Sequence, residues 1–201
     1  MVSYQNKETT AFSFGKVSNM LNQKEQQFLL ELARKTLEQY IYQHSMYKIT
    51  DTSVLTENLK AKRACFVTYR IDKELRGCIG SIYPSEALFE AVIDKAISSA
   101  VHDPRFSPVK KEEVPLIHIE ISVLSPITPI ASLEEYDVDK HGIILQKRGY
   151  SALFLPQVAT EQGWTKEQTL FFLCKKAGLP ADAWRSDCQF QIFTAQVFEE
   201  D

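Results

Sequence analysis

The chain has 201 residues, a net charge of −3 and 44% hydrophobic side chains, enough apolar material for one domain, or two unequal subdomains, around a substantial core. Its basic pairs, Lys62/Arg63, Lys110/Lys111, Lys147/Arg148 and Lys175/Lys176, are scattered among acidic neighbours, which argues against duplex DNA as a partner. The four cysteines show no C-x-x-C spacing and no membrane-length apolar run interrupts the chain, so free thiols in a reducing cytosol are expected, with neither a zinc site nor a membrane span.

Residues 1–20 read as a polar arm, with Phe12 and Phe14 available to dock on the body, and residues 21–201 as the domain proper. Asn22 and Glu25 form a cap-like pair before a helix whose stripe runs through Leu29, Leu32, Ala33, Thr36, Leu37, Tyr40 and Ile41. Cys65 to Tyr69 and Leu75 to Ile79 read as a hairpin turning at Asp72 and Lys73. Pairing Ile71 with Glu74 sets Val67 opposite Cys78, with Tyr69, Arg76 and Cys78 on one face and Phe66 and Ile79 on the other. Ser85 is the expected cap of a second helix ending near Val101, and Pro104 stiffens a following loop, His102 to Pro108, that carries His102, Asp103 and Arg105.

Ile117, Ile119, Ile121 and Val123 alternate with His118, Glu120 and Ser122, a strand with one apolar face and one polar face. Pro126 and Pro129 break the pattern and place a subdomain boundary near Ser125 to Tyr136. Gly142 to Leu145 and Tyr150 to Leu155 predict a second hairpin across Gly149, closed by Pro156. Thr165 and Gln168 begin a helix running to about Ala177, with Gly178 as its left-handed terminus; Phe190 to Phe198 reads as one strand with a bulge. Hairpins outnumber crossovers, which predicts an α+β fold of mainly antiparallel sheet with flanking helices.

The run LRGCIG, Leu75 to Gly80, carries the most chemistry. Gly77 and Gly80 suggest a strand end where a ligand approaches the backbone, and Cys78 between them suggests a thiol primed by Arg76 on the same face. An unpaired cysteine is as often a small buried hydrophobe, so nucleophile and core residue stand level. A thiol nucleophile wants a base, for which His102, His118 and His141 are candidates; Glu120 has the spacing to act with His118 as an acid–base pair. Arg105 and Asp103 either pair with each other or, with Arg76, hold an anionic group. Trp164 and Trp184 fit a base stack or a core seal. No P-loop, G-x-G-x-x-G, H-E-x-x-H, G-x-S-x-G or radical-SAM cysteine cluster is present, and no metal site is indicated, while the sequence leaves any cofactor unknown.

LRGCIG, DPRFSPV (Asp103 to Val109), IEISVLSP (Ile119 to Pro126), HGIIL (His141 to Leu145) and SALFLPQVATEQGW (Ser151 to Trp164) together resemble the AMMECR domain family, component A of the AmmeMemoRadiSam system, over roughly Leu21 to Phe198. The resemblance implies a larger and a smaller subdomain with a cleft between them, and work beside a Memo-type protein and a radical SAM protein. It puts His141 first among the histidines and adds Gln157 to the candidate site. The leading expectation is an enzyme component whose cleft, with Arg76, Cys78, Asp103, Arg105, Glu120 and His141, takes a small or nucleotide-like anion. The alternatives are a non-catalytic adaptor and a single-stranded RNA accessory protein.

Overall fold

The computed structural model describes residues 20–201; the arm expected over 1–20, with Phe12 and Phe14, lies outside them except for Met20. Helix α1 (Gln23–Gln43) opens on the capping box of Asn22 and Glu25. Leu29, Leu32, Ala33 and Leu37 on its inner stripe are buried. After a short helix, α2 (Glu57–Lys60), strands β1 (Cys65–Ile71) and β2 (Glu74–Gly80) form the first hairpin, and helix α3 (Leu88–Val101) follows. β3 (His118–Leu124) pairs with β1, and the last strand of the chain, β8 (Ala195–Glu199), pairs with β3, giving an antiparallel sheet ordered β2-β1-β3-β8. Helices α1 and α3 cover one face of it, where Val67, Tyr69, Ile119 and Ile121 are fully buried.

The second sheet, ordered β4-β7-β5-β6, is built from β4 (Thr128–Ile130), β5 (Gly142–Lys147), β6 (Tyr150–Phe154) and β7 (Gln189–Phe193), again antiparallel throughout. Helices α4 (Pro156–Gln162) and α5 (Lys166–Lys176) precede β7. Tyr136, Ile143, Leu145, Leu170 and Leu173 form the core of this sheet and α5. A third cluster, Ala64, Leu124, Ile144 and Phe193, with Phe66 and Leu153 against it, joins the two sheets. The chain leaves the first sheet at Ser125 and returns at Thr194. These two crossings are bonded to each other: the Ser125 N–H donates to the Thr194 carbonyl and the Thr194 N–H to Ser125 Oγ, each at 2.9 Å.

Four local expectations need correction. The hairpin turn is tight, with Asp72 at φ 51° and Lys73 at φ 69°, but Leu75 pairs with Arg70 while Gly77 pairs with Tyr69. Arg76 is therefore the extra residue of a β-bulge, and Thr68, not Val67, lies opposite Cys78. The second helix begins after Ala87, not Ser85; Glu90 accepts the Ala87 N–H in place of a side-chain cap. Pro156 opens α4 at its first position rather than closing the hairpin. Phe190 to Phe198 is two strands in two sheets, divided at Thr194.

Candidate functional site

The LRGCIG strand is an edge strand, and its backbone would offer unpaired groups to any other strand. The loop after α3 closes that edge. Cys78 N–H donates to Asp103 Oδ2 at 2.9 Å, and the Cys78 carbonyl accepts from Arg105 Nη2 at 3.3 Å. Asp103, whose side chain is 2% exposed, is held by Arg105 through Nε at 2.9 Å and Nη2 at 2.7 Å, and it also accepts the Arg105 N–H. The hydrogen bonds from Arg105 hold the Asp103 carboxyl well below the usual carboxylate range, overcoming the opposing effect of its burial. Asp103 and Arg105 thus act as a surrogate strand for one residue, Cys78.

The two motif glycines make room for protein rather than for a ligand. A Cβ on Gly77 would lie 2.2 Å from the Ser99 carbonyl oxygen of α3, and one on Gly80 would lie 2.2 Å from the Phe66 ring. The close approach at Gly77 puts the Ser99 hydroxyl into the β1/β2 ladder, where it accepts the Ile79 N–H at 2.8 Å and donates to the Val67 carbonyl at 2.7 Å. Neither glycine has a positive φ, so it is space, and not backbone conformation, that requires them.

The bulge breaks the alternation that was expected to bring Arg76 beside the thiol. Arg76 instead grips Glu113, with Nε at 2.7 Å from one oxygen and Nη2 at 3.0 Å from the other, and Nη2 also donates to the Ser107 carbonyl. Its Nη1 is buried with no acceptor among the described residues. Both guanidiniums lie near the Phe106 ring, at 5.9 Å for Arg76 and 5.4 Å for Arg105. Each is neutralised by its own carboxylate, so the pair does not form an open clamp for an anion.

The face of the first sheet opposite the helices carries the remaining polar candidates. Registers place Cys78, Thr68, Glu120 and Glu199 in one row across four strands. Thr68 Oγ1 is 3.2 Å from Cys78 Sγ. Burial pushes the half-buried Cys78 thiol above its ordinary pKa; the Thr68 hydrogen bond and the Arg105 charge pull it down, while Glu120 and Asp103 add to the rise. Burial also raises Glu120, against the pull of Arg70, whose Nε is 3.7 Å from Oε2, and the Glu199 and Glu161 charges reinforce that rise. The surroundings of the thiol are therefore more acidic than basic.

None of the three histidines proposed as a base is hydrogen-bonded to Cys78. His141 Nδ1 accepts the Asp137 N–H at 3.1 Å and closes the turn before β5 in the second sheet. His118 meets Glu199 at 3.2 Å, and His102 terminates α3. Gln157 stands in the first turn of α4 with Oε1 buried and unpartnered among the described residues. The structure thus gathers Cys78, Asp103, Arg105, Gly77 and, in the same row two strands over, Glu120. It draws Arg76 off to Glu113 and leaves His141 in the other sheet.

A second surface was missed in the sequence. Phe171 and Phe172 on α5 are 40% and 36% exposed. Phe172 stacks on Trp164 at 4.4 Å, Trp164 meets Phe154 edge-on at 5.6 Å, and Phe171 meets Phe172 at 5.2 Å. With Trp184, the two phenylalanines line a groove between α5 and the 181–185 segment. Cations lie over several rings: Arg185 over Trp184, Lys176 over Phe154 and Lys175 over Phe171. The sequence signal was there in LFFLC: Leu170, Leu173 and Cys174 make the core stripe, and two adjacent phenylalanines cannot both join it.

Among the described residues no group of three or more His, Cys, Asp or Glu side chains is arranged to hold a metal, and no helix is long and apolar enough to cross a membrane. The AMMECR1 family model matches residues 30–198. Protein MK0488 of Methanopyrus kandleri is 43% identical over 90% of this chain and 91% of its own length, and protein NEQ441 of Nanoarchaeum equitans is 39% identical over 86% and 99%. The crystal structure of protein PH0010 from Pyrococcus horikoshii superposes with a TM-score of 0.78 at 41% identity, covering 87% of this chain and 90% of that one. With its motifs in order and its fold shared at that level of identity, the chain belongs to the AMMECR1 family.

Proposed function

We propose that this protein is a non-catalytic interaction component of a multi-protein system, docking a Memo-type or radical SAM protein through the aromatic face of α5. The observation that carries the reading is the exposed pair Phe171 and Phe172, meeting edge-on, with Phe172 stacked on the half-buried Trp164. Contiguous exposed aromatics mark protein interaction surfaces, and aromatic anchors dominate interface energies. The rim of the groove carries both signs, with Lys175 over Phe171 and Arg185 over Trp184 beside Glu167 and Asp182, and suits a partner patch that is apolar at its centre with charges of both signs around it. The LRGCIG segment supports the same reading from the other side, because its glycines, its bulged arginine and the backbone of its cysteine are all engaged in internal contacts.

A thiol-based enzyme component is the second reading, favoured by the Thr68 hydroxyl on Cys78 Sγ and by a raised carboxylate, Glu120, in the same row. One experiment separates the two. With the partner proteins of the same organism co-expressed, Phe172→Asp should reduce co-purification about tenfold or more, as for loss of an interface anchor, and Cys78→Ser should leave it unchanged. Retention of partners by Phe172→Asp, or their loss in Cys78→Ser, contradicts the docking proposal.

A further inference from the structure

The aromatic face of α5 carries opposite charges at its two ends. Glu167, Phe171 and Lys175 stand at i, i+4 and i+8, one ridge along the helix with its acid and its base about 12 Å apart and the phenylalanine midway. All three are exposed, as are Gln168 and Phe172 on the neighbouring ridge. Lys175 lies over the Phe171 ring, yet neither it nor Glu167 is in an ion pair among the described residues. The flanking lysines are tied elsewhere: Lys166 donates to the Leu133 carbonyl and Lys176 to that of Leu153.

Across the groove, Asp182 and Arg185 repeat the pattern, both exposed, one of each sign, and neither in an ion pair among the described residues. These four charges around the rings sum to zero, in a chain of net charge −3. The partner patch that such a rim fits, apolar at its centre with both signs around it, has the same character as the face itself.

Half a turn about an axis through Phe171 exchanges the two ends of the ridge. It sets Glu167 of one copy against Lys175 of the other, twice, with phenylalanine against phenylalanine between them. A surface that is its own complement under a two-fold operation is what an isologous dimer requires. Ridges of four-residue spacing pack across each other at about 50°, the commonest crossing of two helices.

We infer that, when no other partner is bound, a second copy of this chain covers the aromatic face, α5 packed antiparallel on α5 with reciprocal Glu167–Lys175 contacts. The inference rests on reading that face as a docking surface and gives it a resting occupant, which a different partner must displace. One helix pair buries less than a standard interface, so the dimer is weak and reversible.

Sedimentation velocity of the intact chain should show a monomer–dimer equilibrium with Kd on the order of 10 μM, the strength of a small transient interface. Glu167→Lys and Lys175→Glu are surface changes that leave one sign at both ends of the ridge, and each should weaken the dimer about tenfold or more. An equimolar mixture of the two variants should dimerise again, and the double variant should match the wild type, because opposite charges then face each other in both contacts. Phe171→Asp, which puts two carboxylates on the axis, should be monomeric. A wild type still monomeric at about ten times the expected Kd, a dimer indifferent to either charge reversal, or a mixture no tighter than its components overturns the inference. If any of these occurs while Phe172→Asp still loses its partner proteins, the docking reading stands and only the self-association falls.

Discussion

Gly77→Ala should destabilise the protein by about 3 kcal/mol, the upper end of the range for overpacking a close contact. The new methyl group would stand 2.2 Å from the Ser99 carbonyl oxygen, so β2 and α3 must separate. That separation also withdraws the Ser99 hydroxyl from Ile79 and Val67, leaving a buried donor and acceptor unmatched at a further cost of about 1–3 kcal/mol if nothing replaces them. Because the clash is with backbone, shortening Ser99 to glycine in the same chain should not rescue it. Urea unfolding measures the effect as a shift in midpoint at unchanged slope; a Gly77→Ala protein within 0.5 kcal/mol of wild type, a margin of about the size typical of surface changes, would show that the helix–strand contact is not tight.

Asp103→Asn should have a nearly comparable effect, and one that depends on pH. The folded carboxyl is held well below its usual pKa by Arg105 and by the Cys78 and Arg105 backbone N–H groups, against the opposing effect of burial, whereas in the unfolded chain it titrates near 3.9. The sign follows from linkage. A depressed folded pKa gives stability that is fully present above about pH 4 and lost as pH falls below it. At pH 7 the variant should be less stable by about 2 kcal/mol, set by the loss of charged hydrogen bonds to a buried acceptor with Arg105 half in solvent. Towards pH 2 the two proteins should converge. A difference between them that stays constant from pH 7 to pH 3 would mean that Asp103 is not the titrating tie between the loop and the edge strand.

Where a local rule acts alone, the sequence was legible. Asn22/Glu25 and Thr165/Gln168 cap the helices they mark, and Gly178 takes its left-handed turn at φ 75°. The second hairpin turns at Arg148 and Gly149, both with positive φ. Alternation in Ile117 to Val123 placed the apolar face of β3 correctly against the helices. The failures are places where tertiary contacts decide. A bulge is invisible to period-two counting, and the one at Arg76 reversed the partner of Cys78 and sent the arginine to Glu113. Thr194 divides an apolar run between two sheets because its backbone bonds to Ser125, 69 residues away, a partner that periodicity does not reveal.

The candidate site shows the same division. Asp103 and Arg105 were read as either a local pair or an anion clamp, and the geometry is the local pair. Gly77 and Gly80 were read as places of close approach, which they are; the approaching groups are Ser99 and Phe66 rather than a ligand. Phe171 and Phe172 were passed over because they continue an apolar segment, although helical spacing turns them out of the core.

Cys78 is at the centre of the account as a structural residue whose thiol is raised in pKa by burial. Its alkylation by iodoacetamide, followed at pH 7 by mass spectrometry of the peptide that carries it, tests this most directly. The expected rate is below that of a free cysteine in a short peptide, rising when the protein is unfolded in guanidinium. A native thiol that reacts faster than the peptide at pH 7 would contradict the account and restore the thiol enzyme.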